Sequence, residues 1–129
     1  MTVTNVAQLG LRLIDQVGNT PLIRLSRVTA HLPSSVEVYA KAEWVNPSGS
    51  VKDRAAAEIL RQALTEGLLS DGRTLLDSTS GNMGIAYATL AASLGVAVHL
   101  ALPENVSPIR QQMLRTLGVE LTFSDPLVG

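Results

Sequence analysis

The sequence has 129 residues, of which 46% are hydrophobic and 16% charged, so the chain can form one domain with a hydrophobic core. Its 10 basic and 11 acidic residues nearly balance, and without a basic stripe we expect no binding to nucleic acid or to an acidic membrane surface. The absence of cysteine excludes disulfides and thiolate catalysis, and the two distant histidines, His31 and His99, predict no metal site.

The first 42 residues show one helical pattern and two short strand patterns. Leu9, Leu13 and Val17 recur at helical spacing within residues 6–17, and Gly18 with Asn19 is predicted to end this helix. Residues 22–25 and 36–42 are predicted as strands, the second because apolar residues alternate with polar ones.

Helices and strands alternate regularly through the rest of the chain. Helices are predicted at residues 51–66, 85–94 and 107–117, and strands at residues 74–76, 96–102 and 119–123. The apolar stripe expected in the first helix consists of Ala55, Ala56, Ile59, Leu60, Ala63 and Leu64. Parallel strands need a crossover of about a dozen or more residues, and each predicted helix supplies one. The pattern therefore predicts an α/β fold, a parallel sheet with crossover helices. No apolar run is long enough to span a bilayer, and we expect a cytoplasmic protein.

A loop of Gly and Ser residues leads directly into the first of these helices and places Lys52 in its first turn. The helix dipole disfavours an ammonium there, but by at most about 2 kcal/mol. Burial, or a covalent bond to the amine, would have to supply the rest if Lys52 is to react as a neutral amine. The spacing alone equally fits a solvated surface lysine behind an N-cap at Ser50.

A second polar turn, residues 78–84, lies between a predicted buried strand and an Ala-rich helix. Free N–H groups at a helix start, with the hydroxyls of Thr79 and Ser80 beside them, suit a carboxylate or a phosphate. Gly81 and Gly84 would let a ligand approach the backbone closely. The same residues also fit a well-capped crossover helix that binds nothing.

Three stretches carry a resemblance to a known family: residues 18–22 (GNTPL), 41–54 (KAEWVNPSGSVKDR) and 79–82 (TSGN). They resemble the opening signature, the cofactor-lysine motif and the substrate loop of the fold-type-II pyridoxal-phosphate enzymes. The likeness is greatest to the cysteine synthase branch, with cystathionine β-synthase as a near relative. That family implies a three-layer αβα fold.

The resemblance also implies roles for individual residues. Lys52 would bond covalently to pyridoxal 5'-phosphate and would act as a general base once substrate displaces it. The substrate carboxylate would be held by Thr79, Ser80, Gly81 and Asn82. Asn82 would in addition face the phenolic oxygen of the cofactor.

The implied reaction is a β-replacement, in which O-acetylserine and sulfide give cysteine and acetate, and the implied assembly is a homodimer. Met83 departs from the family, which usually has Thr at this position of the substrate loop. A thioether donates no hydrogen bond, so the departure predicts weaker or altered substrate binding.

Residues 1–129 would correspond to the N-terminal segment and the small α/β domain of such an enzyme. In the family, the cup for the cofactor phosphate and the residue facing the pyridine nitrogen lie further along the chain, in a large domain that this sequence does not include. Two alternatives stay open. One is a haem-free enzyme like cystathionine β-synthase, and the other is an inactive fragment that serves only as a small binding or interaction module.

Overall fold

Two sheets of different kinds follow one another along the chain. The computed structural model describes residues 12–79 and 81–125. A 3-10 helix at Leu13–Gln16 precedes strands β1 (Leu22–Arg24) and β2 (Tyr39–Lys41), and a second 3-10 helix lies at Glu43–Val45. The alternating part comprises α1 (Lys52–Thr65), β3 (Leu75–Ser78), α2 (Asn82–Leu94), β4 (Val98–Pro103), α3 (Pro108–Thr116) and β5 (Glu120–Ser124).

Strands β3, β4 and β5 form a parallel sheet in that order, with Leu75 opposite Val98 and Leu100 opposite Leu121. The helices α2 and α3 are the crossovers between these strands, so the predicted α/β class with a parallel sheet is confirmed. Strands β1 and β2 pair antiparallel in a sheet of their own. The segment that joins them carries no helix, the element that usually provides the crossover between parallel strands.

The core lies between α2 and one face of the parallel sheet. Strand β4 supplies three buried residues to this face, Val98, Leu100 and Leu102. Helix α2 packs against α1, α3 and the 3-10 helix Leu13–Gln16 as well as β4. Its Ala-rich sequence fits this central place, because small side chains let several elements approach one helix closely. Leu76, on the opposite face of the sheet, is 71% exposed.

Three local expectations need correction. Within the described residues, the helix expected at 6–17 is a 3-10 helix of four residues, and Leu9 lies outside the described part of the chain. The buried residues of α1 are Asp53, Ala56, Ala57 and Leu60, whereas Ile59 of the expected apolar stripe is 43% exposed. The helix expected at 85–94 begins three residues earlier, at Asn82. None of the helices in the described residues is long and apolar enough to cross a membrane.

Candidate active site

Lys52 is the first residue of α1 and is exposed. In the turn before it, the N–H of Gly49 donates to the carbonyl oxygen of Asn46 at 2.8 Å, and Gly49 has a φ of +85°. Because residues with a Cβ rarely adopt this φ, the turn requires glycine. The residue preceding α1 is Val51, and the hydroxyl of Ser50 accepts the N–H of Lys52 at 3.3 Å.

Asp53 anchors this turn from inside the helix. Its side chain is fully buried at 0% exposure, in the first turn of α1. Its carboxylate accepts the N–H of Ser48 at 2.6 Å and also the Ser48 hydroxyl. A carboxylate near a helix N-terminus is favoured by the dipole, and these bonds satisfy its buried oxygens. The turn before Lys52 is therefore tied to the helix that carries Lys52.

Asn46 ties the same turn to the N-terminal region. It is 3% exposed, and its side-chain oxygen accepts the N–H of Gly18 at 2.9 Å. Its amide nitrogen donates to the carbonyl oxygen of Glu43 at 2.8 Å and to that of Ser50 at 3.1 Å. The first and second stretches of the family resemblance are thus joined by a buried side chain.

Glu43 lies at the centre of this polar network. Its carboxylate accepts both Nε and Nη2 of Arg54 at 2.9 Å, the Thr20 hydroxyl at 2.7 Å and the Asn46 amide at 2.8 Å. These hydrogen bonds, first from Arg54 and then from Thr20, lower the pKa of Glu43 from 4.5 to about 2. The Lys41 ammonium donates to the carbonyl oxygen of Thr20 beside it.

The second candidate segment connects the carboxyl end of β3 with the start of α2. Gly81 directly precedes α2 in extended backbone and provides no side-chain cap, so the first-turn N–H groups are not capped from this position. Asn82, the first residue of α2, is exposed, and Thr79 is half-buried. Ser80 lies outside the described residues. A Cβ built on Gly81 would meet nothing within 4 Å, and the close approach of a ligand to this residue stays a prediction.

Gly84 has a different role from the one expected of it. It is buried, and a Cβ at this position would lie 3.0 Å from Leu100 Cδ1 and 3.2 Å from the carbonyl oxygen of Thr79. Glycine therefore lets the polar turn pack directly on α2, rather than leaving room for a ligand. Met83 is half-buried and packs against the hydrophobic core.

A pair formed by Tyr87 and Asp77 joins the two sides of this turn. Tyr87 of α2 is 4% exposed, and burial, together with the charge of Asp77 and a hydrogen bond to it, raises the pKa of the Tyr87 hydroxyl. Asp77 precedes the last residue of β3 and also accepts the N–H of Ser78 at 2.7 Å. The strand and the helix that flank the turn are thus held together.

The turn before Lys52 lies near helix α2. A cavity of about 540 Å³ is lined by Pro47 and Ser48 of the turn before Lys52 and by Ile85 and Thr89 of α2. Residues of α3, Ile109 among them, close its other side. The Lys52 turn therefore lies beside the first half of the helix that the polar turn opens.

The sequence predicts no roles for Glu43, Asn46, Asp53 and Arg54, although all four lie within the second stretch of the family resemblance. Only the aspartate carried a local signal, because a carboxylate in a first helical turn is favoured. The others act through partners that lie far away in the sequence, such as the hydroxyl of Thr20 for Glu43.

An amine at a helix start, held by buried hydrogen bonds, and a helix N-terminus at the carboxyl end of a parallel strand are features of enzyme sites that bind small anionic ligands. The donor set fits pyridoxal phosphate, because Lys52 offers an exposed primary amine to the aldehyde of that cofactor. Residues 13–127 match the family of pyridoxal-phosphate-dependent enzymes, and the chain belongs to this family.

Known relatives point to one branch of the family. The cysteine synthase of Aquifex aeolicus is 46% identical over 118 residues, which cover 91% of this chain and 36% of the relative. The crystal structure of cysteine synthase from Entamoeba histolytica matches with a TM-score of 0.87 and 33% identity, covering 100% of this chain and 39% of that one. An O-acetylserine-dependent cystathionine β-synthase from Helicobacter pylori matches with a TM-score of 0.80 and 30% identity, over 93% of this chain and 39% of its own. The chain thus spans little more than a third of the length of these relatives.

Proposed function

We propose that this chain forms the lysine-bearing and carboxylate-binding part of a cysteine synthase, which converts O-acetylserine and sulfide into cysteine and acetate. The observation that carries the proposal is the place of Lys52, an exposed amine on a helix start that buried Asn46 and Asp53 hold in position. The 46% identity to a cysteine synthase supports the same branch of the family.

In this proposal Lys52 has two tasks. Its Nζ would hold the cofactor through a covalent link to the cofactor aldehyde, and once substrate has replaced it the same atom would move a proton as a general base. Pyridoxal phosphate, when bound, supplies the electron sink for breaking the bond to the leaving acetate. The exposed position of Lys52 supports both tasks, because the amine is accessible to a cofactor and a substrate.

The turn before α2 would bind the amino-acid substrate through its carboxylate. Thr79, Ser80, Gly81 and Asn82 would supply hydroxyl, backbone and amide donors, and Asn82 would also face the phenolic oxygen of the cofactor. The lack of a side-chain cap from Gly81 at the start of α2 supports this assignment, since first-turn N–H groups and the positive end of the dipole favour an anion. With Met83 in place of threonine, the substrate carboxylate would lack one hydrogen bond and would bind more weakly.

We further propose that residues 1–129 are the N-terminal segment and small domain of the enzyme, with the phosphate cup and the pyridine partner in a large domain. The 36% coverage of the Aquifex aeolicus enzyme supports this division. The homodimer stays a prediction from the resemblance, and the cytoplasmic location stays a prediction from the short apolar runs of the sequence.

Borohydride reduction tests the proposal. The sequence contains only two lysines, Lys41 and Lys52, so peptide mass spectrometry can assign an adduct in this segment without ambiguity. After incubation of the protein at its natural length with pyridoxal phosphate, the adduct is expected on Lys52. Lys41 is the internal control, because its ammonium is engaged by the carbonyl oxygen of Thr20.

The variant Lys52→Ala completes the test. It is expected to lose both the adduct and cysteine formation, and full activity in this variant would refute the assignment. If neither the natural protein nor the 129-residue segment is labelled, the chain is better explained as a binding module.

A second candidate function differs only in the nucleophile. The similarity to an O-acetylserine-dependent cystathionine β-synthase favours a thiol-bearing amino acid in place of sulfide. Parallel assays with sulfide and with homocysteine, at equal O-acetylserine, distinguish the two. A turnover number at least about tenfold higher with homocysteine would assign the second function.

A further inference from the structure

Buried polar groups in the described residues are concentrated around the turn that leads to Lys52. The three polar or charged residues that are buried in the described part of the chain are Thr20 at 5%, Asn46 at 3% and Asp53 at 0% exposure. All three bond to this turn or to the carboxylate of Glu43. No buried side-chain N or O atom in residues 12–79 and 81–125 lacks a partner. A buried polar network of this kind is rigid when every member is satisfied.

The four donors to Glu43 are divided evenly between its two oxygens. Oε1 accepts Nη2 of Arg54 and the hydroxyl of Thr20, and Oε2 accepts Nε of Arg54 and the amide of Asn46. Arg54 follows Lys52 by two residues in the first turn of α1, whereas Asn46 begins the turn before it. Glu43 therefore connects the two ends of the segment that bears the amine.

We infer that Glu43 is a positioning residue for Lys52: by holding Arg54 and Asn46 together, it fixes the start of α1 and so the direction in which the amine points. Glu43 acts through these neighbours and has no chemical step of its own. The inference rests on the proposed function of Lys52. An amine that is held in a reactive geometry loses less conformational freedom when it reacts than a flexible one does. The expected effect of Glu43 is therefore on the rate at which Lys52 bonds covalently to the cofactor.

The variant Glu43→Gln tests this with little change in size. Each carboxylate oxygen accepts two donors, so either orientation of the glutamine amide sets an NH₂ group against two other donors. The Arg54 fork cannot then form as a pair of charge-assisted bonds. We expect covalent capture of pyridoxal phosphate at Lys52, stopped at timed intervals with borohydride, to slow by about tenfold, equivalent to 1.36 kcal/mol.

The second measurement is hydrogen exchange without cofactor. The amides of Ser48, Gly49 and Asp53 are hydrogen-bonded within the network, to Asp53, Asn46 and Ser50 respectively. In Glu43→Gln these amides are expected to exchange about tenfold faster, whereas those of α2 and β4 keep their rates. Faster exchange throughout the molecule would indicate a general loss of stability and would overturn the positioning role.

The matched control is Glu37→Gln. Glu37 also pairs with an arginine, Arg24, at 2.6 Å, but both side chains are about half exposed; Arg24 is the last residue of β1, and Glu37 lies two residues before β2. The variant Glu37→Gln is expected to leave unchanged both the rate of covalent capture at Lys52 and the hydrogen exchange of the amides in residues 48–54. An effect equal to that of Glu43→Gln would overturn the inference. If Glu43→Gln does not fold, Arg54→Lys keeps the charge but not the fork and is expected to slow capture in the same way.

The two proposals fail in distinguishable ways. Absence of an adduct on Lys52 in the unaltered protein contradicts the proposed function, while the exchange rates still decide whether Glu43 orders the segment. An adduct that forms equally fast in the unaltered protein and in folded Glu43→Gln contradicts the positioning role alone.

Discussion

Replacing Gly84 by alanine should destabilise the protein, although alanine is the better helix former. In an open helix the exchange would stabilise by about 1 kcal/mol. Here the new Cβ would lie 3.0 Å from Leu100 Cδ1, 3.2 Å from the carbonyl oxygen of Thr79 and 3.3 Å from Thr79 Cγ2. Carbon atoms pack comfortably at about 3.5–4.0 Å, so the contact with Leu100 is about 0.5 Å too short.

Neither neighbour can move freely. Leu100 is fully buried and the Thr79 oxygen belongs to the backbone, so the strain should fall in the usual overpacking range of about 1–3 kcal/mol. Subtracting the gain in helix propensity leaves a net loss of about 1 kcal/mol. Because the new Cβ also crowds Thr79, substrate binding at the proposed carboxylate turn should weaken as well.

The measurement is the free energy of unfolding in urea of Gly84→Ala, with Gly81→Ala as the control variant. A Cβ at Gly81 meets nothing and the φ there is −107°, so that variant should keep its free energy of unfolding within about 0.5 kcal/mol. A Gly84→Ala protein as stable as the unaltered one, or more stable, would refute the packing argument.

Two further predictions concern Met83 and Glu43. Met83→Thr should lower the free energy of unfolding by about 1–2 kcal/mol, because a half-buried side chain leaves the core. It should also tighten substrate binding about tenfold through a new hydroxyl donor, and titration showing no gain would count against a role in the carboxylate turn. Since the pKa of Glu43 falls from 4.5 to about 2 on folding, its stabilising effect is complete above pH 4.5 and is lost as the pH falls towards 2. Unfolding midpoints between pH 5 and 2 should therefore fall less steeply in Glu43→Gln, and identical slopes would contradict this.

The alternation of helices and strands was readable from the sequence because each element carries its own local signal. Ser107 accepts the N–H of Arg110 at the start of α3, and Pro108 occupies the first helical position, so the beginning of this helix was predicted within one residue. Gly95 ends α2 with a φ of +69°, a conformation that glycine adopts without strain.

The errors arose where a local pattern competes with distant packing. In α1 the apolar residues follow more than one stripe, and Ala57, which was not in the expected stripe, is buried while Ile59 is exposed. The packing of α1 on α2 decides between these stripes, and periodicity within α1 contains no information about it. Likewise, the start of α2 at Asn82 depends on the extended backbone of Gly81, which the Ala-rich run did not reveal.

In the candidate site, too, local features could be predicted from the sequence and long-range contacts could not. Lys52 and the turn before α2 could be found from spacing and resemblance, because each is a continuous segment. The network around Glu43 could not, since its bonds join Thr20, Glu43 and Arg54, which are 23 and 11 residues apart along the chain.

The position of that network bears on how the reactive amine is controlled. A surface lysine has several rotatable bonds, and a chain that merely exposed one would need no buried carboxylate or amide near it. Burying Asp53 and Asn46 is unfavourable unless each is fully bonded, and their bonds go to the turn before Lys52 and to the side chain of Glu43. The backbone that carries Lys52 is thus the part of the described chain in which polar burial is concentrated. This arrangement is expected if the direction of the amine, and not only its presence, determines how fast it reacts.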